Sequence, residues 1–496
     1  MNMPITLRGS ESKSPARRAL LFTFINVRTG CISCVYRSEW ATSQVMKIGG
    51  VRMSLYRLLA ADSPDRVIQM NKRTARKVGL LKGQEITLSY GMRKARMKVL
   101  INRKAAGNTL ILPSRSIEKL KIVLSVTYNV RLLDDVLVIG PVIGMLYHQD
   151  GNKMEADLRE NPNLYLPYAQ SIRKLGGMLF FAAENQIDFH SGEMEGCVFN
   201  FETMAWERAV LPFPSILYRK VKATKALKSS FGSRLFNPPC YYKWKFFSIL
   251  NKEPAFRKYL PETKNVITRN NLDRMIGKYG MVFLKPINKG GGAGMHLIWK
   301  EGRNYFARKN FTSEVFTYTS RQLNDLLASC EKNHIFQQPI HLKSYKDRKI
   351  DYRVIAVKEK ARTWKVDPII GWLGVKGGIT TQGNRGVSGR YVEDLLKLQF
   401  NDSDEGIAQK VGEMKSLAIA LANYLEGECG TFIDFGFDMG LDEQGDIYIF
   451  EGNTLQQLET PLSLNDHMMY GELIYCILEA LKELSMEGEE PVSFDN

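Results

Sequence analysis

From about Met46 to Tyr147 the apolar residues come in short alternating runs separated by turn residues: GQEITLSYG, ARMKVLIN, NTLILPS and DDVLVIGPVIGML. Period-two alternation over such lengths predicts strands, and several at close spacing predict a small β-rich domain, a compact barrel. In KARMKVLI, Lys94, Arg96 and Lys98 alternate with Ala95, Met97 and Val99, which predicts a strand with one solvated face. Near Leu166 the period becomes helical in LPYAQSIRKLGG, and the run MLFFAAE after it predicts a strand, the order of an α/β unit. A second change comes near Phe236, where PPCYYKWKFFSILNKEPAFRKYL has helical spacing, and the last periodic stretch, MMYGELIYCILEALKEL, predicts a closing helix. No internal repeat is evident in the pattern. The expected organisation is an extension at 1–45, a β-rich domain at 46–149, an α/β segment at 150–235, a large mixed domain at 236–484 and an acidic tail at 485–496.

Composition narrows the class. A chain of 496 residues is too long for one core. No apolar run reaches the roughly 18 residues of a membrane span. The net charge of +17 is concentrated between Asn71 and Arg131, where Glu85 and Glu118 are the only acids. Such a face attracts anions in general, but Tyr90 and Tyr128 are the only large aromatics there, so the stacking chemistry of a nucleic-acid binder is missing. Seven scattered cysteines argue against a disulfide framework and fit a reducing compartment. Cys31 and Cys34 form one CxxC, with no second pair and His148 as the nearest histidine, so a zinc site is not expected. The first 45 residues hold RALLFTFINV after basic residues, which superficially resembles a signal peptide without a small-x-small cleavage site. A poorly ordered extension, or a start placed too far upstream, is the competing expectation.

Two stretches carry chemistry. In FLKPINKGGGAGMHL, residues 283–297, a lysine precedes a glycine cluster. A P-loop has its lysine after the glycines, followed by Ser or Thr, and neither holds here. In FIDFGFDMGLDEQGDIYIFEGN, residues 432–453, two strands flank a DEQG turn. With Asp438 opposite Ile449, the side chains of Ile449, Glu451 and Asn453 share the face of Asp438. Two carboxylates and an amide oxygen are hard ligands suited to Mg²⁺, with Mn²⁺ as an alternative, bridging nucleotide phosphates. Glu451 also follows the apolar run IYIF, where an unpaired carboxylate would be costly.

Taken together, FLKP…GGGAG, IFQQPI, DYRVIAV and GFDM…IFEGN stand in the order and spacing of an ATP-grasp domain, and the chain resembles the YheC/YheD family of endospore coat-associated ATP-grasp proteins. VIGPVIGML, LPFPSILYRKV, RLFNPPCYYKW and LPETKNVI extend the resemblance from about Arg52 to Leu484. It implies two α+β lobes closing on ATP, preceded by the β-rich domain and the α/β segment. It places Lys285 on the phosphates and Gly290, Gly291, Gly292 and Gly294 in the loop above them. FQQPI, with Gln337, Gln338 and Ile340, becomes the hinge strand, the backbone near Gln338 and Ile340 reading the adenine edge. Asp351 would reach the ribose, Arg353 the terminal phosphate or acyl-phosphate, and Lys243 the nucleotide. Asp438, Glu451 and Asn453 would hold the metal.

The sequence also departs from the family. Where relatives carry Arg-x-Asn before Gly-Gly, this chain reads TTQGNRGVSG, with Thr380 for the arginine, Gln382 for the asparagine and Val387 for the second glycine. A cation near the triphosphate is lost unless Arg385 or Arg390 substitutes. EGN replaces Glu-Val-Asn, and NTLQQLE lacks the usual proline turn. The implied activity is that of an ADP-forming carboxylate–amine or carboxylate–thiol ligase with an unidentified acid and nucleophile, in the cytoplasm or spore coat. The alternative is a nucleotide-binding structural protein with coat proteins as partners.

Overall fold

The computed structural model describes residues 54–238, 243–310, 312, 314–360, 363–381, 388–455 and 458–486. The extension, the Cys31–Cys34 pair, Gln382, Arg385, Val387 and the tail from 487 lie outside these residues.

The first described unit is a closed barrel of seven strands: β1 (Tyr56–Ala61), β2 (Val67–Met70), β3 (Glu85–Tyr90), β4 (Arg93–Ile101), β5 (Thr109–Pro113), β6 (Thr127–Leu133) and β7 (Val136–Gly140). Their order around the barrel is β1-β5-β2-β4-β3-β7-β6. Inward residues such as Leu58, Ile68, Leu88, Val99 and Leu110 are fully buried, while Lys94, Arg96 and Lys98 point outward. Closure leaves no free sheet edge.

The barrel overturns the expectation of no internal repeat. Helix α1 (Lys72–Val78) and helix α2 (Ser114–Leu120) begin 42 residues apart, as do β2 and β5, and β3 and β6. Each helix ends on a left-handed residue, Gly79 at φ 86° and Lys121 at φ 56°. What recurs is burial at matching positions, Leu80 with Ile122 and Ile86 with Tyr128, rather than residue identity. Side chains of such different volume conceal the repeat in the sequence.

DDVLVIGPVIGML, read as one run, divides at Pro141. Its first half is β7 of the barrel, and its second half, β8 (Val142–His148), begins another sheet. That sheet adds β9 (Met178–Asp188), β10 (Glu193–Asn200), β11 (Ala205–Pro212), β12 (Ile216–Arg219) and β13 (Leu235–Phe236), in the order β11-β10-β9-β8-β12-β13. β8 is parallel to β9 and β12.

Two further sheets face the candidate site. One comprises β14 (Thr263–Lys264), β15 (Met281–Pro286), β16 (His296–Glu301), β17 (Asn304–Lys309), β18 (Val315–Tyr318) and β19 (His334–Gln337), in the order β14-β19-β15-β16-β17-β18. Helices Arg269–Tyr279 and Ser320–Cys330 cover it through Leu272, Met275, Leu323 and Leu327. The other has β20 (Ser344–Tyr345), β21 (Arg348–Glu359), β22 (Thr363–Lys376), β23 (Ser388–Tyr391), β24 (Asp434–Leu441) and β25 (Ile447–Asn453), in the order β23-β22-β21-β24-β25, with β20 beside β21. Helix Asp404–Cys429 packs Val411, Met414, Leu421 and Leu425 against it, each such burial contributing about 1.5–3 kcal/mol. Cys197, Cys330 and Cys476 are buried free thiols, whereas Cys429 is disulfide-bonded, contrary to a wholly reduced set.

Candidate nucleotide site

The site is built on the β21–β24–β25 ladder. On β24, Phe435, Phe437 and Met439 enter the core, so Asp434, Gly436, Asp438 and Gly440 occupy the opposite face. The expected pairing of Asp438 with Ile449 is wrong by two residues: Asp438 pairs with Glu451, and Met439 with Ile449, across a β-bulge. Ile449 is in the core, so a regular strand would send Glu451 there too. The extra residue, Phe450, turns Glu451 onto the Asp438 face. Asn453 Nδ2 lies 3.3 Å from Asp438 Oδ2, leaving its Oδ1 without a partner among the described residues. Gly452 is required by packing: a Cβ there would fall 2.4 Å from the Phe246 ring. That ring fills the space a valine side chain would need.

Each carboxylate already holds a cation. Arg353 grips Asp438, Nε to Oδ1 at 2.5 Å and Nη2 to Oδ2 at 3.3 Å. Lys243 donates to Glu451 Oε1 at 2.9 Å and to the Lys289 carbonyl at 2.7 Å. Among the described residues no three His, Cys, Asp or Glu side chains form a metal cluster. Asp438, Glu451 and Asn453 thus share one face, where Arg353 and Lys243 balance the two carboxylate charges.

Lys285 stands on β15 opposite this group. Its Nζ donates to Gln337 Oε1 at 2.5 Å and lies 4.8 Å from the Phe283 ring centroid. Burial, reinforced by nearby Lys243 and Lys349, pulls its pKa down to about 8. Lys243, Lys285, Gln337 and Glu451 form the polar lining of a cleft walled by Phe246, Phe247, Ile335 and Phe450. The glycine loop is exposed above it, with Gly291, Gly292 and Gly294 at φ 61°, 70° and 74°. Side chains other than glycine rarely adopt these angles, and Gly290 and Gly291 have open space where a Cβ would sit.

On β21, Ile350, Tyr352 and Val354 enter the core, which turns Lys349, Asp351 and Arg353 to the cleft. Asp351 accepts a hydrogen bond from Thr381, but its buried Oδ1 has no partner among the described residues. Burial raises its pKa to about 7, with nearby Asp438 adding to the rise.

The hinge differs from expectation. β19 ends at Gln337, and Gln338 to Ile340 are not strand. The Gln338 N–H donates to the Glu262 carbonyl at 2.8 Å, and its side chain accepts from Glu262 N at 3.0 Å. That N–H is therefore already engaged by backbone. The Ile340 N–H has no partner among the described residues, and the Gln337 side chain is the one facing Lys285.

Sequence reasoning missed Asp434 and Lys349. Asp434 is fully buried and binds Tyr218 Oη at 2.7 Å, Lys220 Nζ at 2.8 Å and Asn237 Nδ2 at 2.5 Å. It thereby fastens β12 and β13 to the strand that carries Asp438. Its spacing of four from Asp438 was the available signal. For Lys349 the signal was its spacing of two from Asp351.

The family described as YheC/D like ATP-grasp matches residues 232–484, half of the chain. Endospore coat-associated protein YheD of Bacillus subtilis (strain 168) is 23% identical over 347 residues, covering 66% of this chain and 75% of that protein. Endospore coat-associated protein YheC of the same organism is 22% identical over 221 residues, covering 43% of this chain and 59% of that one. Among solved structures, D-alanyl-alanine synthetase A from Vibrio cholerae is 13% identical with a TM-score of 0.41, covering 69% of this chain and 99% of that one. ATP-grasp ligase PsnB complexed with a minimal precursor is 11% identical with a TM-score of 0.39, covering 68% and 99%.

Proposed function

The chain belongs to the YheC/D-like ATP-grasp family, and from that premise we propose that it is a Mg²⁺-dependent, ADP-forming ligase joining a carboxylate to an amine or thiol. The observation that carries the reading is the convergence of Lys243, Lys285 and Arg353 on the face that holds Asp438, Glu451 and Asn453. The γ-phosphoryl of ATP passes to a substrate carboxylate oxygen, giving ADP and an acyl-phosphate. The amine or thiol then attacks the acyl carbon, and phosphate leaves. Lys285 and Arg353 balance the charge on the moving phosphoryl group, so no serine or cysteine nucleophile is needed. Mg²⁺ held by Asp438, Glu451 and Asn453 would neutralise phosphate oxygens. Asp351, whose buried Oδ1 has no partner among the described residues, would accept a ribose hydroxyl.

ADP release against a panel of acids, amino acids and short peptides tests this. Release should require both an acid and an acceptor, and hydroxylamine should trap a hydroxamate. ATP binding with neither product would sink the ligase reading. A second reading, a coat-associated nucleotide binder without turnover, is favoured by Thr380, which stands where the family resemblance implies an arginine and which bonds Asn310. Asp438→Asn separates the two, abolishing turnover in a ligase and only weakening ATP binding in a binder. The coat-associated relatives suggest the spore coat or the cytoplasm of the sporulating cell as the location and coat proteins as partners. No described helix is long and apolar enough to cross a membrane.

A further inference from the structure

The outward face of the barrel carries cations without counter-charges. Leu88, Met97 and Leu137 are buried inside it, so the residues that alternate with them face out. Strand pairing sets these in rows: Arg131, Val138, Ser89 and Lys94 in one, Val136, Thr87 and Arg96 in the next, and Glu85 with Lys98 beyond. Lys94, Arg96 and Lys98 are exposed, and none makes an ion pair among the described residues. Glu85, and Asp134 and Asp135 in the turn between β6 and β7, make none either. The chain comes back to this face at Met486, where the closing helix, His467–Met486, stops. Arg131 Nη1 donates to the Met486 carbonyl at 3.1 Å, and a Cβ on Gly140 of β7 would lie 3.6 Å from Met486 Sδ. The residues that follow include Glu487, Glu489 and Glu490, then Asp495, with no Lys or Arg among them. Crossing from Arg131 to Lys94 takes three strand spacings, roughly 14 Å. An extended chain covers that in about four residues, the separation of Met486 from Glu490. One exposed ion pair contributes little, but several acids on so short a tether meet the row of cations at an effective concentration on the order of millimolar.

We propose that the acidic segment after Met486 docks on this face, setting its glutamates against Lys94, Arg96 and Lys98 and closing the face to other anions. Full-length wild type is treated with a zero-length carbodiimide, which joins a carboxylate to an adjacent lysine amine as an amide, and the monomer fraction is mapped by mass spectrometry. Links from Glu487, Glu489 or Glu490 to Lys94 or Lys98 should dominate those the segment makes. They should fade between about 0.1 M and about 1 M salt, where the screening length drops from about 10 Å to about 3 Å. A second measurement follows a fluorescein-labelled deca-glutamate probe by anisotropy. Glu487→Gln, Glu489→Gln and Glu490→Gln together should bind it about tenfold more tightly than wild type, because the tethered competitor is gone. Adding Lys94→Glu, Arg96→Glu and Lys98→Glu should abolish that gain. If that combination fails to fold, Lys94→Gln with Lys98→Gln carries the comparison. Links from the segment to other lysines, or none at low salt, overturn the docking. Links confined to a dimer fraction place the segment on a second copy and overturn docking within the chain. Equal probe affinity in wild type and the neutralised variant means the segment does not cover the face, and overturns it too.

Discussion

Arg353 and Asp438 face each other across the β21–β24 ladder as a two-point ion pair, 2.5 Å at its shorter contact. Glu451 is held likewise by Lys243 at 2.9 Å. The carboxylates that would bind a divalent ion are therefore already neutralised. A metal arriving alone must displace both side chains, whereas a triphosphate offers them a new anion. Mn²⁺ titration followed by electron paramagnetic resonance should show binding at least ~tenfold weaker without ATP than with it. Equally tight binding of the bare ion would refute this exchange.

Asp434 is a structural anchor rather than a ligand. Removing one member of a buried, hydrogen-bonded pair strands the other charge. Asp434→Ala should therefore lower unfolding free energy by about 3–5 kcal/mol, read from urea denaturation. Adding Lys220→Met should recover part of that loss, because the buried ammonium that has lost its Asp434 contact is then gone. Purely additive losses would show that Lys220 and Asp434 are not coupled.

Much of the site is legible in the sequence because its signals are local. A lysine on an apolar run ahead of glycines, and acids placed two apart beside buried positions, can be read from strand periodicity alone. What escaped was set by departures from that periodicity or by distant contacts. The bulge at Phe450 changes which face Glu451 takes, and no turn rule foretells it. Gln337 and Gln338 are adjacent and chemically identical, and only pairing with β14 sends one into the cleft and the other toward Glu262. Gly452 is explained only by the Phe246 ring from a helix some 200 residues earlier. The barrel was legible as alternating strands, but its duplication was not, since matched positions keep burial and not identity.

Asp351 should leave a signature in stability. The folded chain retains its proton up to about pH 7, while the unfolded chain releases it near the ordinary carboxylate value of 3.8. Between those values the folded state binds more protons, so stability falls as pH rises through that window and levels off above it. Asp351→Asn removes this penalty. Its melting temperature should exceed that of wild type at pH 8, and the gap should nearly close at pH 4. A gap independent of pH would mean that Asp351 does not titrate in the folded chain near neutrality.

Lys285 should make nucleotide binding take up a proton. With its pKa pulled down to about 8, the free ammonium is mostly deprotonated at pH 9. A bound phosphate favours the charged form and raises the pKa, so ATP binding above pH 8 must draw a proton from solvent. Calorimetry at pH 9 in buffers of different ionisation enthalpy should reveal uptake approaching one proton, falling to roughly a quarter of a proton at pH 7.5 and vanishing near pH 6 for this group. Affinity should fall by up to about tenfold per pH unit above 8 until the bound-state pKa is reached. Lys285→Arg keeps the charge at every accessible pH and should abolish both effects. If that variant still takes up a proton at pH 9, the proton belongs to another group and Lys285 is charged before the nucleotide arrives.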